Sequence, residues 1–170
     1  MPYSGSHGEW AALYLDETIG GATAAFTFGA SRIQFGALTE GFTGVIDPGG
    51  GTGVCRPSAG ALDYIICTEA GWYRLAYHIS GKITATADGG TLSITAKQGA
   101  VGVADGDVVP GSECSFVSLT GNLECIFVAE TLAYLQENTY VALCHIQYSA
   151  GGAGVFHNGT LVAERINPGA

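Results

Sequence analysis

The sequence predicts an all-β chain, an antiparallel sandwich or jelly roll, and three observations carry that prediction. Short apolar runs alternate with period two. Glycines and turn dipeptides separate the runs, and no stretch sustains a 3.6-residue period. About eight to ten short strands result, spaced as in sandwich and jelly-roll domains. No internal repeat is visible at periods of roughly 20–50 residues, which excludes propellers and solenoids.

Taken in order, residues 9–15 (EWAALYL) read as a first strand or a short helix, with the strand favoured by the bounding Gly and Asp. Residues 20–29 form a Gly-bounded stretch in which Phe26 and Phe28 share a face, and residues 33–35 are a short run. Residues 42–54 contain Asp47-Pro48-Gly49, a strong turn signal, followed by further glycines that read as loop. Residues 62–67 (LDYIIC) are extended.

The clearest strand is 71–80 (GWYRLAYHIS), with Tyr73, Leu75, Tyr77 and Ile79 on one face and Trp72, Arg74, Ala76 and His78 on the other. It continues past Gly81 toward Asp88-Gly89-Gly90, which has hairpin-turn chemistry. Residues 91–97 alternate strictly, placing Leu92, Ile94 and Ala96 inward and the polar residues outward. A Gly-rich connector spans 98–111. Residues 114–119 and 123–129 flank Thr120-Gly121-Asn122 as a second predicted hairpin, and 131–137 are compatible with one turn of helix. Residues 140–148 are apolar at nearly every position. A turn at His157-Asn158-Gly159 then leads into a last strand at 160–166.

Composition narrows the function. At 170 residues the chain is most simply one domain, long enough for a substantial core. Charged residues make up 12%, about half the roughly 25% of an average soluble domain. A surface so poor in charge suggests burial against other chains. The net charge is −9 and the six basic residues are scattered, which argues against nucleic acid and anionic membranes as partners.

The first residues carry no secretory leader pattern, and no run is apolar enough to span a membrane as a helix. The expectation is a chain made in a cytosol with its five cysteines reduced. No C-x-x-C spacing points to zinc. Cys67, Cys125 and Cys144 sit in apolar strand-like runs and read as small buried hydrophobes, with Cys114 and Cys125 the one pair to check for a bridge.

The order of strands carries a resemblance. A Gly followed by aromatic-x-aromatic alternation ending in His, here from Gly71 to His78, resembles the central strand of the tumour-necrosis-factor-like jelly rolls. That group includes the globular heads of complement proteins and trimeric knobs of phages and spores. An alternating strand at 91–97, the apolar block 123–148 and the closing TLVAERI extend the likeness over roughly residues 42–166. Glu137-Asn138-Thr139 stands where the family often has Gly-Asp, and the closing F-S-G is missing, so an animal signalling role is not implied.

The resemblance implies a homotrimer. Independently, residues 140–146 are apolar on both faces, and a two-layer sandwich buries only one unless something covers the other. Either a three-fold neighbour or the N-terminal strands of the same chain supplies that cover. Trp72, Tyr140, Ala142, Leu143 and Ile146 are accordingly the trimer-interface candidates.

No catalytic constellation emerges. Asp105-Gly106-Asp107 offers two carboxylates where calcium takes roughly six to eight oxygens, so turn chemistry is the preferred reading. His7, His78, His145 and His157 share no ligand spacing, and no G-x-S-x-G elbow is present. Asn158-Gly159-Thr160 matches a glycosylation sequon but reads as turn. Trp10, Trp72, Tyr73 and Tyr77 have the chemistry to stack on sugars, with core or interface packing preferred.

The expectation is therefore a non-enzymatic protein without cofactor or metal: a capsid cement (decoration) protein of a tailed phage. As a trimer it would bind the major capsid protein on the virion exterior, after synthesis in the host cytoplasm. Residues 1–15 are assigned as an N-terminal arm or first strand and 16–170 as the jelly-roll domain. Tyr3, His7 and Trp10 are the capsid-contact candidates. The alternative is a receptor- or carbohydrate-binding knob of a tail fibre or spike. The absence of a visible coiled-coil or repeat stalk makes it the second choice.

Overall fold

The computed structural model describes residues 9–16, 24–27, 31–33, 35, 45–47, 49–58, 63–83, 90–99, 106–116, 123–147 and 153–166. Among these residues every regular element is a strand. In chain order they are β1 (Trp10–Asp16), β2 (Ala24–Thr27), β3 (Ser31–Arg32), β4 (Val45–Ile46), β5 (Cys55–Pro57), β6 (Ile65–Cys67), β7 (Gly71–Ile83), β8 (Gly90–Gln98), β9 (Asp107–Val108), β10 (Cys114–Phe116), β11 (Leu123–Leu135), β12 (Thr139–Gln147) and β13 (Ala153–Ile166).

They form two antiparallel sheets. The first has the order β11-β7-β13-β1-β4, with β2 pairing the start of β13. The second has the order β10-β8-β12-β6-β5, with β9 also on β8 and β3 also on β12. This is a jelly roll, as the strand pattern predicted.

The core lies between the sheets and follows from the period of two. From the first sheet come Ala11, Leu13, Tyr73, Leu75, Tyr77, Ile79, Phe127, Leu135, Leu161 and Ala163; from the second come Cys55, Ile65, Cys67, Leu92, Ile94, Val141 and Leu143. The phenol of Tyr77 reaches across to donate to the Leu92 carbonyl at 3.3 Å, so its one polar atom is satisfied inside the core. Tyr73 likewise donates to the Glu69 carbonyl at 2.7 Å.

Several local expectations give way to the sandwich topology. Among the described residues neither predicted hairpin pairs its two strands: β7 and β11 belong to the first sheet, whereas β8 and β10 belong to the second, and the turns at 88–89 and 120–122 lie outside the described residues. The chain therefore changes sheets between β7 and β8 and again between β10 and β11. Turn dipeptides report a reversal of direction but not which sheet the chain enters next.

Residues 131–135 are no helical turn; they complete β11, paired with β7 from Leu123↔Ile83 to Leu135↔Gly71. The predicted turn at His157-Asn158-Gly159 is instead an irregularity within β13, where the register with β7 shifts between Phe156 and Asn158. The Asp47 turn is present: its carboxylate accepts from the backbone N–H of Gly49 at 3.0 Å and of Gly51 at 2.6 Å. The short β5 had no separate signal in the sequence, because only three residues pair there.

The polar face of β8 also differs from expectation. Thr91, Ser93 and Thr95 are buried, as are Ala142 and Cys144 beside them on β12. Thr95 Oγ1 and Cys144 Sγ are 3.0 Å apart and hydrogen-bonded. Both faces of β12 are thus covered within the single chain.

Candidate functional site

The outward face of the first sheet is built by three strands in strict register. On β7 the alternation that buries Tyr73, Leu75, Tyr77 and Ile79 turns Trp72, Arg74, Ala76 and His78 outward. The long pairing with β11 sets Tyr134 opposite Trp72, Leu132 opposite Arg74, Val128 opposite His78 and Ile126 opposite Ser80. On the other side, β13 sets Ile166 opposite Trp72, Glu164 opposite Arg74 and Val162 opposite Ala76. Beyond β13, Trp10 of β1 stands opposite Glu164.

The result is an apolar plate on the protein surface. Trp72, Ile126, Val128, Leu132 and Tyr134 are 51–67% exposed, and Trp10 and Ile166 border them at 36%. Large apolar side chains clustered in this way, in contrast to scattered single ones, mark interaction surfaces. The Trp72 and Tyr134 rings meet edge-on, their centroids 5.8 Å apart. Among the described strands β11 is also the edge of its sheet, and an apolar row runs along it.

One charged group interrupts the plate. Arg74 Nη1 donates to Glu164 Oε2 at 2.8 Å, and its Nε lies 3.2 Å from Glu130 Oε1. All three side chains are partly exposed, so the pairs add little stability in the isolated chain. Their value rises if the plate is covered, since an unpaired charge would then be desolvated.

The sequence-predicted residues divide unevenly over this geometry. Trp72 is on the plate. Leu143 is in the core between the sheets and Ala142 is buried on the opposite face of β12, so neither presents a surface for another chain. At residues 141–144 both faces of that strand are buried within the single chain. Tyr140 is half-buried against Tyr64, ring centroids 5.3 Å apart. The backbone of Ile146 pairs with Thr91, and its side chain is outside the described residues.

Trp10, assigned to an N-terminal arm or first strand, lies in β1, a strand hydrogen-bonded to both β13 and β4, with Ala11 and Leu13 in the core. β1 ends at Asp16, one residue past the assigned first segment. Tyr3 and His7 lie outside the described residues, as does Asp105. Tyr73 and Tyr77 are core residues whose phenols burial pushes well above the ordinary range, so neither is placed to stack on a sugar.

The residues that sequence reasoning missed are Ile126, Val128, Leu132 and Tyr134. Their signal was present as a second run apolar on both faces, equivalent to that of β12, but a break in it at 130–131 concealed a single long strand.

Other chemistry is sparse among the described residues. No group of three or more His, Cys, Asp or Glu side chains converges as a metal site. An open cleft of about 350 Å³ between β8, β9 and the β11–β12 turn is lined by Gln98, Asp107, Tyr134, Gln136 and Thr139 among others. It contains one carboxylate and no nucleophile–base pair. All five cysteines are free thiols.

Comparison with protein-family models and with curated protein sequences returns no match. Solved structures do match in fold. The Eiger TNF of S. frugiperda superposes with a TM-score of 0.59 at 10% identity, over 94% of this chain and 94% of that one. The globular domain of the zebrafish complement 1qA protein gives 0.57 at 9% identity, over 94% of this chain and 98% of that one. At such identities the likeness establishes the jelly-roll fold, which agrees with the resemblance seen in the order of strands.

Proposed function

We propose that the chain is a non-enzymatic structural protein that works as a homotrimer, and that it serves as a capsid cement protein on the exterior of a tailed-phage virion. The observation that carries the oligomer is the apolar plate on β11, β7 and β13. Trp72, Ile126, Val128, Leu132 and Tyr134 are more exposed than a lone domain ordinarily leaves a contiguous apolar cluster. Removing their remaining exposed surface from water is worth roughly 1–2 kcal/mol per side chain. A three-fold arrangement of such plates leaves the opposite sheet and the loops facing outward or toward a lattice.

The cement role rests on the acidic, charge-poor, Gly-rich composition together with this fold. Such a protein clamps adjoining capsid subunits by shape and apolar contact, and stabilises the lattice by mass action because it binds only the assembled form. With Trp10 integrated in β1, residues 1–8 are the segment proposed to reach the major capsid protein. Synthesis in the host cytoplasm is part of this reading.

A second reading is carried by the Trp72–Tyr134 pair, an exposed aromatic platform suited to stacking on a sugar ring. It makes the chain a carbohydrate- or receptor-binding knob of a tail fibre or spike. The two readings compete for the same surface, since trimerisation through the plate covers that platform.

The test is copy number per particle, measured by quantitative mass spectrometry of purified virions against the major capsid protein. Hundreds of copies support the cement role. A few to a few dozen point to a fibre or spike, and absence from particles removes both readings.

A further inference from the structure

We propose that Cys55 and Cys67 form an oxidisable pair, a buried dithiol that converts to a cross-strand disulfide pinning β5 to β6. The two residues are direct antiparallel partners in the register Cys55↔Cys67, Arg56↔Ile66, Pro57↔Ile65. The hydrogen-bond pattern on either side settles which kind of pair they make. Thr68 N–H donates to the Val54 carbonyl at 2.8 Å, and Ser58 N–H donates to the Tyr64 carbonyl at 2.9 Å.

Those two bonds join directly opposed residues, so 54/68 and 58/64 are hydrogen-bonded positions, and alternation makes 55/67 a non-hydrogen-bonded one. There the Cα atoms stand about 4.5 Å apart with side chains close, inside the roughly 4.4–6.8 Å that a disulfide spans. Both thiols point into the core and are fully buried.

The two side chains share one face of the β5–β6 ladder. Cys55 Sγ donates to the Glu9 carbonyl at 3.1 Å. Cys67 is hydrogen-bonded to Cys55, which together with burial holds its thiol well above the usual range. Burial and the raised thiol of Cys67 make the folded pair slow to react, and the time for closure is during folding, before β1 and the opposite sheet cover the site.

The chemistry is thiol–disulfide exchange with a low-molecular-weight disulfide such as glutathione disulfide. One cysteine thiolate attacks a sulfur of the oxidant, forming a mixed disulfide and releasing one glutathione thiolate. The second cysteine displaces the other glutathione, so the chain loses two hydrogens and two glutathione thiols appear. No other pair of cysteines is a direct register partner among the described strands.

The experiment uses the full chain, unfolded and reduced, then refolded either with glutathione disulfide or under reducing conditions. Cleavage on the N-terminal side of aspartate separates residues 47–62, which contain only Cys55, from residues 63–87, which contain only Cys67. The expected result is that these two peptides migrate as one linked species after oxidation and separate on reduction. The oxidised protein should melt about 5–10 °C above the reduced one, the gain for a closed loop of this length. Linkage of either residue to another cysteine, persistence of both as thiols or glutathione adducts, or a bridged form that melts lower than the reduced one would each overturn the assignment. A Cys55→Ala variant serves as control and should show no linked peptide and no oxidant-dependent shift.

Discussion

Trp72 and Tyr134 stand directly opposite each other on β7 and β11, in edge-on contact with centroids 5.8 Å apart, and more than half of each remains open to solvent. Two large aromatics that shield each other only partly are a poor end state for an isolated domain but a good seat for a partner. Around them, Ile126, Val128 and Leu132 extend the same surface along an edge strand.

The first prediction follows from that surface. Val128→Glu with Leu132→Glu places two carboxylates on the plate. Because both positions are exposed, the fold should be little affected, within about 0.5 kcal/mol per site. Association should weaken by roughly 100-fold or more, since each substitution removes apolar burial and adds a desolvated charge. Sedimentation analysis should show the wild type as a trimer and the variant as a monomer with an unchanged circular dichroism spectrum.

Arg74 makes a subtler case. Its bonds to Glu130 and Glu164 are solvent-exposed in one chain, so Arg74→Ala should shift monomer stability by no more than about 1 kcal/mol. In an oligomer that covers the plate, the same change leaves two carboxylates without their cation. The dissociation constant should then rise at least tenfold, and sedimentation equilibrium at several concentrations measures this directly. Equal effects on monomer stability and association would place Arg74 outside the interface.

The same contrast shows what was legible in the sequence. Apolar runs bounded by turns identified β12 and the end of β13, and period-two alternation identified β7 and β8 and much of the core, because one buried face imposes that pattern on a strand. It could not tell β11 from β12. Both runs are apolar on both faces, yet β12 lies inside its sheet and is covered twice by its own chain, whereas β11 is an edge strand with one face bare. Which of two such strands is exposed depends on strand order, a long-range property that no local window contains. The same reason defeats the predicted pairing of β7 with β8 and of β10 with β11, whose members belong to different sheets.

Leu143 tests that distinction from the other side. It packs in the core between the sheets, so Leu143→Ala should cost about 2–5 kcal/mol of folding stability through the cavity left behind. The association constant of the folded fraction should be unchanged. Thermal denaturation paired with sedimentation separates the two quantities, and a variant that lost association while keeping its melting temperature would return Leu143 to the interface.

Gly159 is constrained by close approach. A Cβ built there would lie 2.8 Å from Ile79 Cγ1 and 3.1 Å from the His78 carbonyl oxygen. The side chain is locked in the core and the carbonyl belongs to β7, an interior strand paired on both sides, so neither yields easily. Gly159→Ala should therefore destabilise by roughly 1–3 kcal/mol, the range for overpacking, and lower the melting temperature by several degrees.

Alkaline titration examines the packing of β11 on β7 by a different route. Cys125 Sγ donates to the Gly81 carbonyl at 3.3 Å, and burial, aided by the nearby Glu124 carboxylate, pushes its thiol from about 9 up to about 11. Tyr73 and Tyr77 are shifted in the same direction by burial, from ordinary values of 10.0. Between the ordinary and the raised values the unfolded chain has released protons that the folded chain still holds. The unfolded state then binds fewer protons, so stability falls as pH rises through that window and is fully retained below about pH 9. Melting temperatures should be level from pH 7 to 8.5 and decline steadily from about 9 to 11. Cys125→Ser, which removes one of the two raised thiols, should reduce the part of the decline that begins near 9, leaving there the share of buried Cys67 and, above 10, the phenolic part. An unchanged slope would mean that this thiol ionises as freely in the folded chain as in the unfolded one, and that β11 does not hold it against β7.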